Sequence, residues 1–262
     1  MGIIKRIKNI LLFLGFDPGI FIKNVAGFPS YFRDYSQFRK KSKEFSDFHF
    51  GKIYPILTDK NNLNSNLADH YFYQDLFVAN KIFKNNPTKH VDIGSRIDGF
   101  VAHVASFREI EVFDIRPLDI SISNIKFTRA DFMKPDPGLI DYTDSISCLH
   151  SLEHFGLGRY GDPLDVSGHL KGLESIYSVL KKGGKFYFSS PIGPQRIEFN
   201  AHRVFSISYL LMKFERKYTI DSFSYIDDKK KLHENADLTT ENIRTNFGCI
   251  FGCGIFEMTK NR

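Results

Sequence analysis

Between residues 88 and 191, short hydrophobic runs alternate with longer amphipathic stretches. Five runs have the length and the content of buried strands, namely residues 90–93, 110–113, 124–129, 145–149 and 185–190. The clearest helical pattern covers residues 164–180, where Leu170, Leu173 and Ile176 share one stripe before Gly183 and Gly184 end it. Strands that alternate with helices predict a parallel sheet covered on both faces.

Two more strand-like runs follow, at residues 218–226 and 249–259, and a polar loop separates them. We expect them to form an antiparallel hairpin at the edge of the sheet. The predicted fold is therefore α/β, a Rossmann-like doubly wound and mostly parallel sheet of seven strands. This domain is expected over residues 65–262, behind a basic, aromatic-rich helical extension over residues 1–64.

The extension begins with an amphipathic segment. Residues 3–14 place Ile3, Ile7, Ile10 and Leu14 at helical spacing, and the apolar part is far too short to cross a bilayer. Two interpretations stay open. The segment is either a helix that docks on the main domain, or an interfacial helix over residues 1–16 that contacts the anionic inner membrane, assisted by the basic run at 39–43.

Charge and cysteine content narrow the class of protein. The net charge is +6, and the first fifty residues carry +5 of it, with nine Lys or Arg against four acids. A nucleic-acid enzyme usually spreads its positive charge over the domain that holds the substrate, so we expect no nucleic-acid partner. Three cysteines provide neither a disulfide framework nor a zinc site, which favours a reducing, cytoplasmic location.

The first strand ends in the sequence GSRIDG, residues 94–99. It has the first and third glycines of a dinucleotide fingerprint, but Arg96 replaces the middle glycine, which normally lets the backbone approach a pyrophosphate. S-adenosylmethionine (SAM) has no phosphate and tolerates that side chain. Asp114 follows Gly94 by twenty residues, the separation expected of an acid that binds ribose hydroxyls, and Asp131 is placed to accept from adenine.

Five segments in register resemble the class I SAM-dependent methyltransferases: VDIGSRIDG (91–99), EVFDIRP (111–117), RADF (129–132), LHSLEHFG (149–156) and LKKGGKFYFSSP (180–191). More narrowly, HYFYQD (70–75), the DIRP run and FGCGIFEMTK (251–260) resemble a bacterial branch that accompanies surface-polysaccharide genes. Where the family usually has glycine, this chain has Arg96, which is expected to pair with the cofactor carboxylate.

The resemblance implies a set of cofactor contacts on the first three strands and on the helix before them. The expected SAM-binding residues are Gln74, Asp92, Gly94, Ser95, Arg96, Gly99, Asp114, Ile115, Asp131 and Phe132. No spacing in the sequence requires a metal ion.

Two polar clusters are candidates for the chemistry. His150, Glu153 and His154 follow the fourth strand and either face the methyl group or cap the next loop. The loop after the fifth strand carries Arg196, Glu198, His202 and Arg203, a mixture that suits hydroxyl-rich or anionic acceptors. His202 is the first choice for a general base, with His150 and His154 as further catalytic candidates, and Arg196, Glu198, Arg203 and Glu153 as acceptor-binding residues.

The function expected from these observations is SAM-dependent O-methylation of a sugar or surface-glycan precursor. Two alternatives remain. A Rossmann-type nucleotide-sugar oxidoreductase would bind NAD, but Arg96 and the missing Tyr-x-x-x-Lys pair argue against it. A non-catalytic methyltransferase-like scaffold would fold normally and bind no adenosine cofactor.

Overall fold

The structure is a computed structural model that describes residues 2–41, 55, 57, 69–116, 121–199 and 201–261. The chain divides into two compact units, Met1–Leu67 and Ala68–Arg262. The predicted boundary between residues 64 and 65 lies outside the described residues, as do Met1 and residues 42 and 43 of the basic run.

Two helices form the described part of the first unit, α1 (Gly2–Phe13) and α2 (Pro18–Lys41). The helix expected at the N-terminus is confirmed. Gly15 follows it with a backbone φ of +82°, in the left-handed region that glycine adopts at little steric cost. Asp17 begins α2, because its side chain accepts a hydrogen bond from the backbone N–H of Gly19 at 2.7 Å.

The second unit contains an eight-stranded sheet and a separate two-stranded hairpin. In chain order the strands are β1 (His90–Ile93), β2 (Ile110–Asp114), β3 (Ile125–Arg129), β4 (Thr143–Leu149), β5 (Leu180–Ile192), β6 (Arg196–Glu198), β7 (His202–Val204), β8 (Tyr218–Ile226), β9 (Leu232–His233) and β10 (Gly252–Lys260). The large sheet has the order β3-β2-β1-β4-β5-β10-β8-β9.

Strands β1 to β5 pair in parallel, whereas β10, β8 and β9 are antiparallel to their neighbours. The predicted fold class is confirmed, but the sheet has eight strands rather than seven. The additional strand, β9, pairs with β8 through only two residues, Leu232 and His233. A run of two residues is too short to show a hydrophobic period, so the sequence pattern could not reveal it.

In the described part of the second unit, five α-helices flank the strands: α3 (His70–Asn85), α4 (Ala102–Ala105), α5 (Gly168–Val179), α6 (Ile207–Phe214) and α7 (Thr240–Thr245). Successive residues of β2 point to opposite faces of the sheet and enter two separate cores. Val112 packs in the cluster that contains residues of α3 and α4, whereas Phe113 packs in the cluster that contains residues of α5 and α6. The sheet is therefore covered on both faces, as a doubly wound sheet requires.

The predicted antiparallel strands at the edge of the sheet are confirmed, with β10 next to β5, β8 beyond it and the short β9 outermost. The predicted start of the second strand needs one correction, because β10 begins at Gly252 and not at residue 249. The backbone N–H groups of Ile250 and Phe251 donate to the Asp228 carboxylate, each at 2.9 Å, so these residues form a loop instead of a ladder.

The carboxyl ends of the parallel strands bring several loops together. The Gly94 N–H donates to the carbonyl of Phe113 at the end of β2, at 2.9 Å. The His150 N–H donates to the carbonyl of Ser189 in β5, at 3.1 Å. These bonds fix the turns after β1 and β4 at one edge of the sheet, where ligands of such folds bind.

Candidate active site

A cavity of about 380 Å³ opens at this edge, a volume within the usual range for small-molecule sites. Most of the predicted site residues line it: Gln74, Gly94, Ser95, Arg96, Asp114, Ile115, Asp131, Phe132, His150, Glu153, His154 and His202. The lining does not include Asp92, Gly99, Arg196, Glu198 or Arg203. The fold thus brings these twelve lining residues together around one cavity, and the individual role of each stays a prediction.

The turn after β1 forms one wall of the cavity. Gly94 has a φ of +69°, and a Cβ there would lie 2.4 Å from the Ser151 hydroxyl oxygen. Both facts favour glycine, because a side chain would be strained by the backbone and crowded by the loop after β4. The turn therefore presents bare backbone to the cavity.

Asp92 holds this turn from beneath. Its buried carboxylate accepts hydrogen bonds from the Ser95 N–H at 2.9 Å, the Ser95 hydroxyl at 2.7 Å and the Ser147 hydroxyl at 2.6 Å. Burial raises the pKa of Asp92 to about 6. Asp92 does not line the cavity and holds the turn in position, so its expected cofactor contact stays a prediction.

Gly99 and Arg96 take different places from those expected. A Cβ at Gly99 would lie 2.4 Å from an oxygen of Asp75, so this glycine permits α3 to approach and does not line the cavity. Arg96 does line the cavity, but its exposed guanidinium pairs with Asp98 at 2.9 Å and lies 5.7 Å from the Tyr71 ring centre. The predicted pairing with a cofactor carboxylate stays a prediction.

The Asp114 carboxylate faces the same cavity and is held by Arg116. The Arg116 N–H donates to Asp114 Oδ1 at 2.8 Å, and its guanidinium donates to both oxygens, at 3.0 and 2.6 Å. Arg116 also lies 4.7 Å from the ring centre of Tyr160. Since ionised carboxylates have about four lone-pair sites, Asp114 keeps acceptor capacity toward a ligand.

Asp131 and Phe132 continue the wall after β3. The Asp131 carboxylate accepts the Met133 N–H at 3.0 Å and pairs with Lys134 at 3.4 Å. Phe132 is buried against Phe113, with ring centres 5.6 Å apart. This part of the cavity combines an apolar surface with one carboxylate, which suits a flat base that carries an amino group.

Gln74 lies on the α3 side of the cavity with both ends of its amide engaged. Its oxygen accepts from the Ser189 hydroxyl at 2.6 Å, and its nitrogen donates to Asp75 at 2.9 Å. Burial raises the pKa of the Asp75 carboxyl. Gln74 therefore links α3 to β5 and is fixed in position beside the cavity.

His150 and Glu153 form a buried pair. His150 Nδ1 lies 2.8 Å from Glu153 Oε1, and among the described residues neither His150 Nε2 nor Glu153 Oε2 has a hydrogen-bond partner. The ring centres of His70 and Tyr71 lie 5.0 and 5.1 Å from that of His150. Two unsatisfied buried polar atoms beside a cavity indicate a place for a ligand that carries a donor.

The charge state of this pair depends on its neighbours. Burial alone would lower the pKa of His150, but Cys253 and the Glu153 carboxylate outweigh it and raise that pKa well above the usual value. Burial and the adjacent His150 lower the pKa of His70 to about 4. His70 is therefore neutral near pH 7, whereas His150 binds a proton more readily than an isolated histidine.

His154 faces the cavity from the other side of Glu153. Its Nδ1 lies 2.7 Å from the carbonyl oxygen of Ala201, and its Nε2 lies 3.9 Å from Glu153 Oε1. Burial lowers the pKa of His154. His154 thus connects the loop after β4 to the loop between β6 and β7, in addition to lining the cavity.

The expected acceptor loop folds as the β6–β7 hairpin, and only His202 of its predicted residues reaches the cavity. Arg203 is buried and its guanidinium donates to the carbonyl oxygens of Glu153 and Phe155, at 3.2 and 2.6 Å. Arg196 pairs with Glu198 at 2.7 Å, outside the lining. Arg203 is thus engaged by backbone carbonyls, and the expectation that Arg196, Glu198 and Arg203 bind the acceptor stays a prediction.

His202 keeps its place at the cavity. Its Nε2 lies 3.0 Å from Glu198 Oε2, without hydrogen-bond geometry, and its ring centre is 5.0 Å from that of Phe251. Glu198 therefore lies against a side chain that lines the cavity without lining the cavity itself.

Several lining residues were not predicted, among them Arg116, Arg159, Tyr160 and Phe251. Arg116 lies two residues after Asp114 and could have been inferred from that position. Tyr160 lies in a loop whose glycines at 156, 158 and 161 have positive φ, a sign of a shaped loop. Phe251 has no pattern around it that marks a site.

Among the described residues, no group of three or more His, Cys, Asp or Glu side chains is arranged to hold a metal ion.

A family model described as "Caenorhabditis protein of unknown function, DUF268" matches residues 109–247, which is more than half of the chain. The chain belongs to the DUF268 family. The match includes β2 through α7 and thus Asp114, His150, Glu153 and His202. No curated protein matches this DUF268 protein.

Solved structures resemble the second unit of the DUF268 protein. The 1,6-didemethyltoxoflavin-N1-methyltransferase of Burkholderia thailandensis, solved with S-adenosylhomocysteine, has a TM-score of 0.52 at 13% identity, over 73% of this chain and 80% of that one. The N-methyltransferase NodS of Bradyrhizobium japonicum, also with S-adenosylhomocysteine, has a TM-score of 0.49 at 10% identity, over 72% and 86%. The first likeness shows that this chain shares the fold of that Burkholderia protein.

Proposed function

We propose that this protein is a SAM-dependent methyltransferase. The observation that carries the proposal is the placement of the Gly94 turn and the Asp114 carboxylate on one cavity of about 380 Å³. The sequence motifs and the fold of the Burkholderia methyltransferase support the same cofactor.

The residues present fit this cofactor. The bare backbone at Gly94 and Ser95 suits its amino-acid portion, the acceptor site that Arg116 leaves open on the Asp114 carboxylate suits a ribose hydroxyl, and the surface of Asp131 and Phe132 suits the adenine. When bound, S-adenosylmethionine supplies a methyl group activated by a positively charged sulfur. The chain has to hold it, orient an acceptor beside it and exclude water.

We further propose that the acceptor is a hydroxyl of a sugar or surface-glycan precursor in the cytoplasm of a bacterium. The unsatisfied His150 Nε2 and Glu153 Oε2 support an acceptor with O–H donors. Tyr71, Tyr160 and Phe251 line the same cavity and provide flat surfaces for a sugar ring.

In this proposal His150 removes the proton of the acceptor hydroxyl. Glu153 holds Nδ1, so Nε2 is the atom that accepts the proton. His202 stays the second candidate, but its Nε2 already lies beside Glu198. A base of this kind typically contributes about 10²- to 10⁴-fold.

The cofactor assignment is tested by calorimetry with S-adenosylhomocysteine. Asp114→Ala removes the charged acceptor of a ribose hydroxyl and is expected to weaken binding about 10- to 100-fold. Asp237→Ala is the matched control, because Asp237 is exposed and outside the cavity lining. A folded wild-type protein that binds NAD would support the oxidoreductase, and one that binds neither ligand would support the scaffold.

The role of His150 is tested in two steps. Histidine titration by NMR should show a lower pKa for His150 in Glu153→Gln, because the carboxylate that raises it is gone. Glu198→Gln, which removes the carboxylate beside His202, should leave that titration unchanged. A His150 pKa that does not move in Glu153→Gln would contradict the pairing.

In the second step, release of S-adenosylhomocysteine is measured with a panel of nucleotide sugars. His150→Ala should slow it about 10²- to 10⁴-fold while the affinity for S-adenosylhomocysteine is retained. Wild-type turnover in His150→Ala together with loss in His202→Ala would assign the base to His202. Activity should increase with pH, since only the uncharged ring accepts a proton.

A further inference from the structure

The two helices of the first unit expose large hydrophobic side chains along most of their length. Twelve large hydrophobic residues from Ile7 to Phe32 are exposed. Phe13 is 90% exposed, Leu14 is 72% and Ile22 is 65%. Single exposed apolar residues are ordinary, but a continuous series of this size marks an interaction surface.

Charge is distributed around this apolar segment in a specific way. Residues 9–32 contain only two charged side chains, Asp17 and Lys23. Basic residues flank both ends, with Lys5, Arg6 and Lys8 before the segment and Arg33, Arg39, Lys40 and Lys41 after it. An apolar segment with basic residues on both flanks matches the interface of an anionic bilayer, where each Lys or Arg adds to the attraction.

The geometry of the break indicates how the segment meets a membrane. Among the described residues no single helix is long and apolar enough to cross a bilayer. The helical segments Arg6–Phe13 and Pro18–Gln37 reach that length and hydrophobicity only as a pair, and the chain bends by 80° between them. Basic residues tend to stay on the cytoplasmic side. Since both flanks are basic, both ends of the bent pair belong on the same side.

We propose that residues 6–37 insert as a bent helix pair into one leaflet of an anionic phospholipid bilayer, with both ends at the headgroups. The proposal extends the interfacial interpretation of residues 1–16 to α2. The cap that Asp17 gives to α2 satisfies a backbone donor at the break. This surface binds membrane whether or not the cavity of the second unit binds S-adenosylmethionine.

The protein has no tryptophan, so a single introduced tryptophan reports its own surroundings. In the full chain, Phe13→Trp should show a blue-shifted emission when vesicles of 70% phosphatidylcholine and 30% phosphatidylglycerol are added, and quenching by brominated lipid. Phe199→Trp is the matched control, since Phe199 is 74% exposed and lies in the second unit. Its emission should not change.

Flotation of the full chain with the same vesicles measures binding directly. The double variant Phe13→Asp, Leu14→Asp should lower the bound fraction at least about tenfold, since it removes two large apolar side chains from the lipid. Leu164→Asp, Val166→Asp is the matched control, because these residues are 73% and 86% exposed in the second unit. High salt or pure phosphatidylcholine should weaken binding.

Three results would overturn the proposal. The full chain could stay in the aqueous fraction with anionic vesicles, or the two double variants could bind equally well. A blue shift of Phe13→Trp that depends on protein concentration and needs no vesicles would instead assign the surface to a second copy of the chain.

Discussion

Asp92 lies beneath the turn after β1, fully buried, with three hydrogen bonds to its carboxylate. Those bonds favour the ionised form, but burial outweighs them and raises the pKa to about 6. A carboxyl whose pKa is higher in the folded than in the unfolded state, here above the usual 3.8, binds more protons when folded between pH 4 and 6. Its contribution to stability therefore falls as the pH rises through that window.

This predicts a pH-dependent difference between wild type and Asp92→Asn. From pH 4.5 to pH 7 the wild type should lose about 2 kcal/mol of unfolding free energy relative to the variant, since one pKa unit corresponds to about 1.4 kcal/mol and most of the shift falls inside this window. Urea unfolding at the two pH values measures it. Asp98→Asn, at an exposed carboxylate, should show little change. A constant difference would contradict the raised pKa.

Single residues also show what the sequence could predict. Gly94 and Asp114 end adjacent parallel strands, so their common edge followed from the pattern alone. By contrast, the pattern could not predict which side chains of the loop after β5 face the cavity. His202 and Arg203 are adjacent on a short strand, whose successive side chains point to opposite faces, so one lines the cavity and the other is buried among carbonyls.

At the scale of elements, the turn between β1 and α4 depends on one glycine. Gly94 has a φ of +69°, and a Cβ added at this residue would lie 2.4 Å from the Ser151 hydroxyl oxygen. Gly183, between α5 and the main part of β5, has a similar φ of +75° but open space around it. Comparing alanine substitutions at the two glycines therefore distinguishes the cost of a strained backbone from the cost of a crowded side chain.

We expect Gly183→Ala to cost about 1–2 kcal/mol of unfolding free energy, the cost of a left-handed conformation. Gly94→Ala should cost more, because it adds the contact with Ser151. In the background of Ser151→Ala, the cost of Gly94→Ala should fall toward that of Gly183→Ala. Urea unfolding measures all of them, and equal costs at both glycines would show that Ser151 yields freely.

Elements with a long hydrophobic period were predictable, and those fixed by polar contacts were not. Strands β1 and β2 and helix α5 are buried and periodic, and their predicted positions agree with the structure. The start of β10 depends on Asp228, twenty-two residues away from Ile250, which captures two backbone N–H groups. No local pattern reports such a long-range contact.

At the scale of the whole molecule, the two units carry separate chemistry. Every residue that lines the cavity lies between His70 and Phe251, in the second unit. The exposed apolar surface and most of the net charge lie in the first fifty residues, and the remainder carries only about +1 by the same count. Ligand binding and membrane binding should therefore be separable.

A fragment of residues 69–262 tests this separation. It should bind S-adenosylhomocysteine within about twofold of the full chain, because the whole cavity lining is retained. It should also stay in the aqueous fraction during flotation with anionic vesicles. Circular dichroism confirms folding, and calorimetry gives the affinity. The affinity depends only on the residues that contact the ligand and on those that hold them in place. A folded fragment with strongly weakened binding would therefore show that the first unit contributes to the cofactor site.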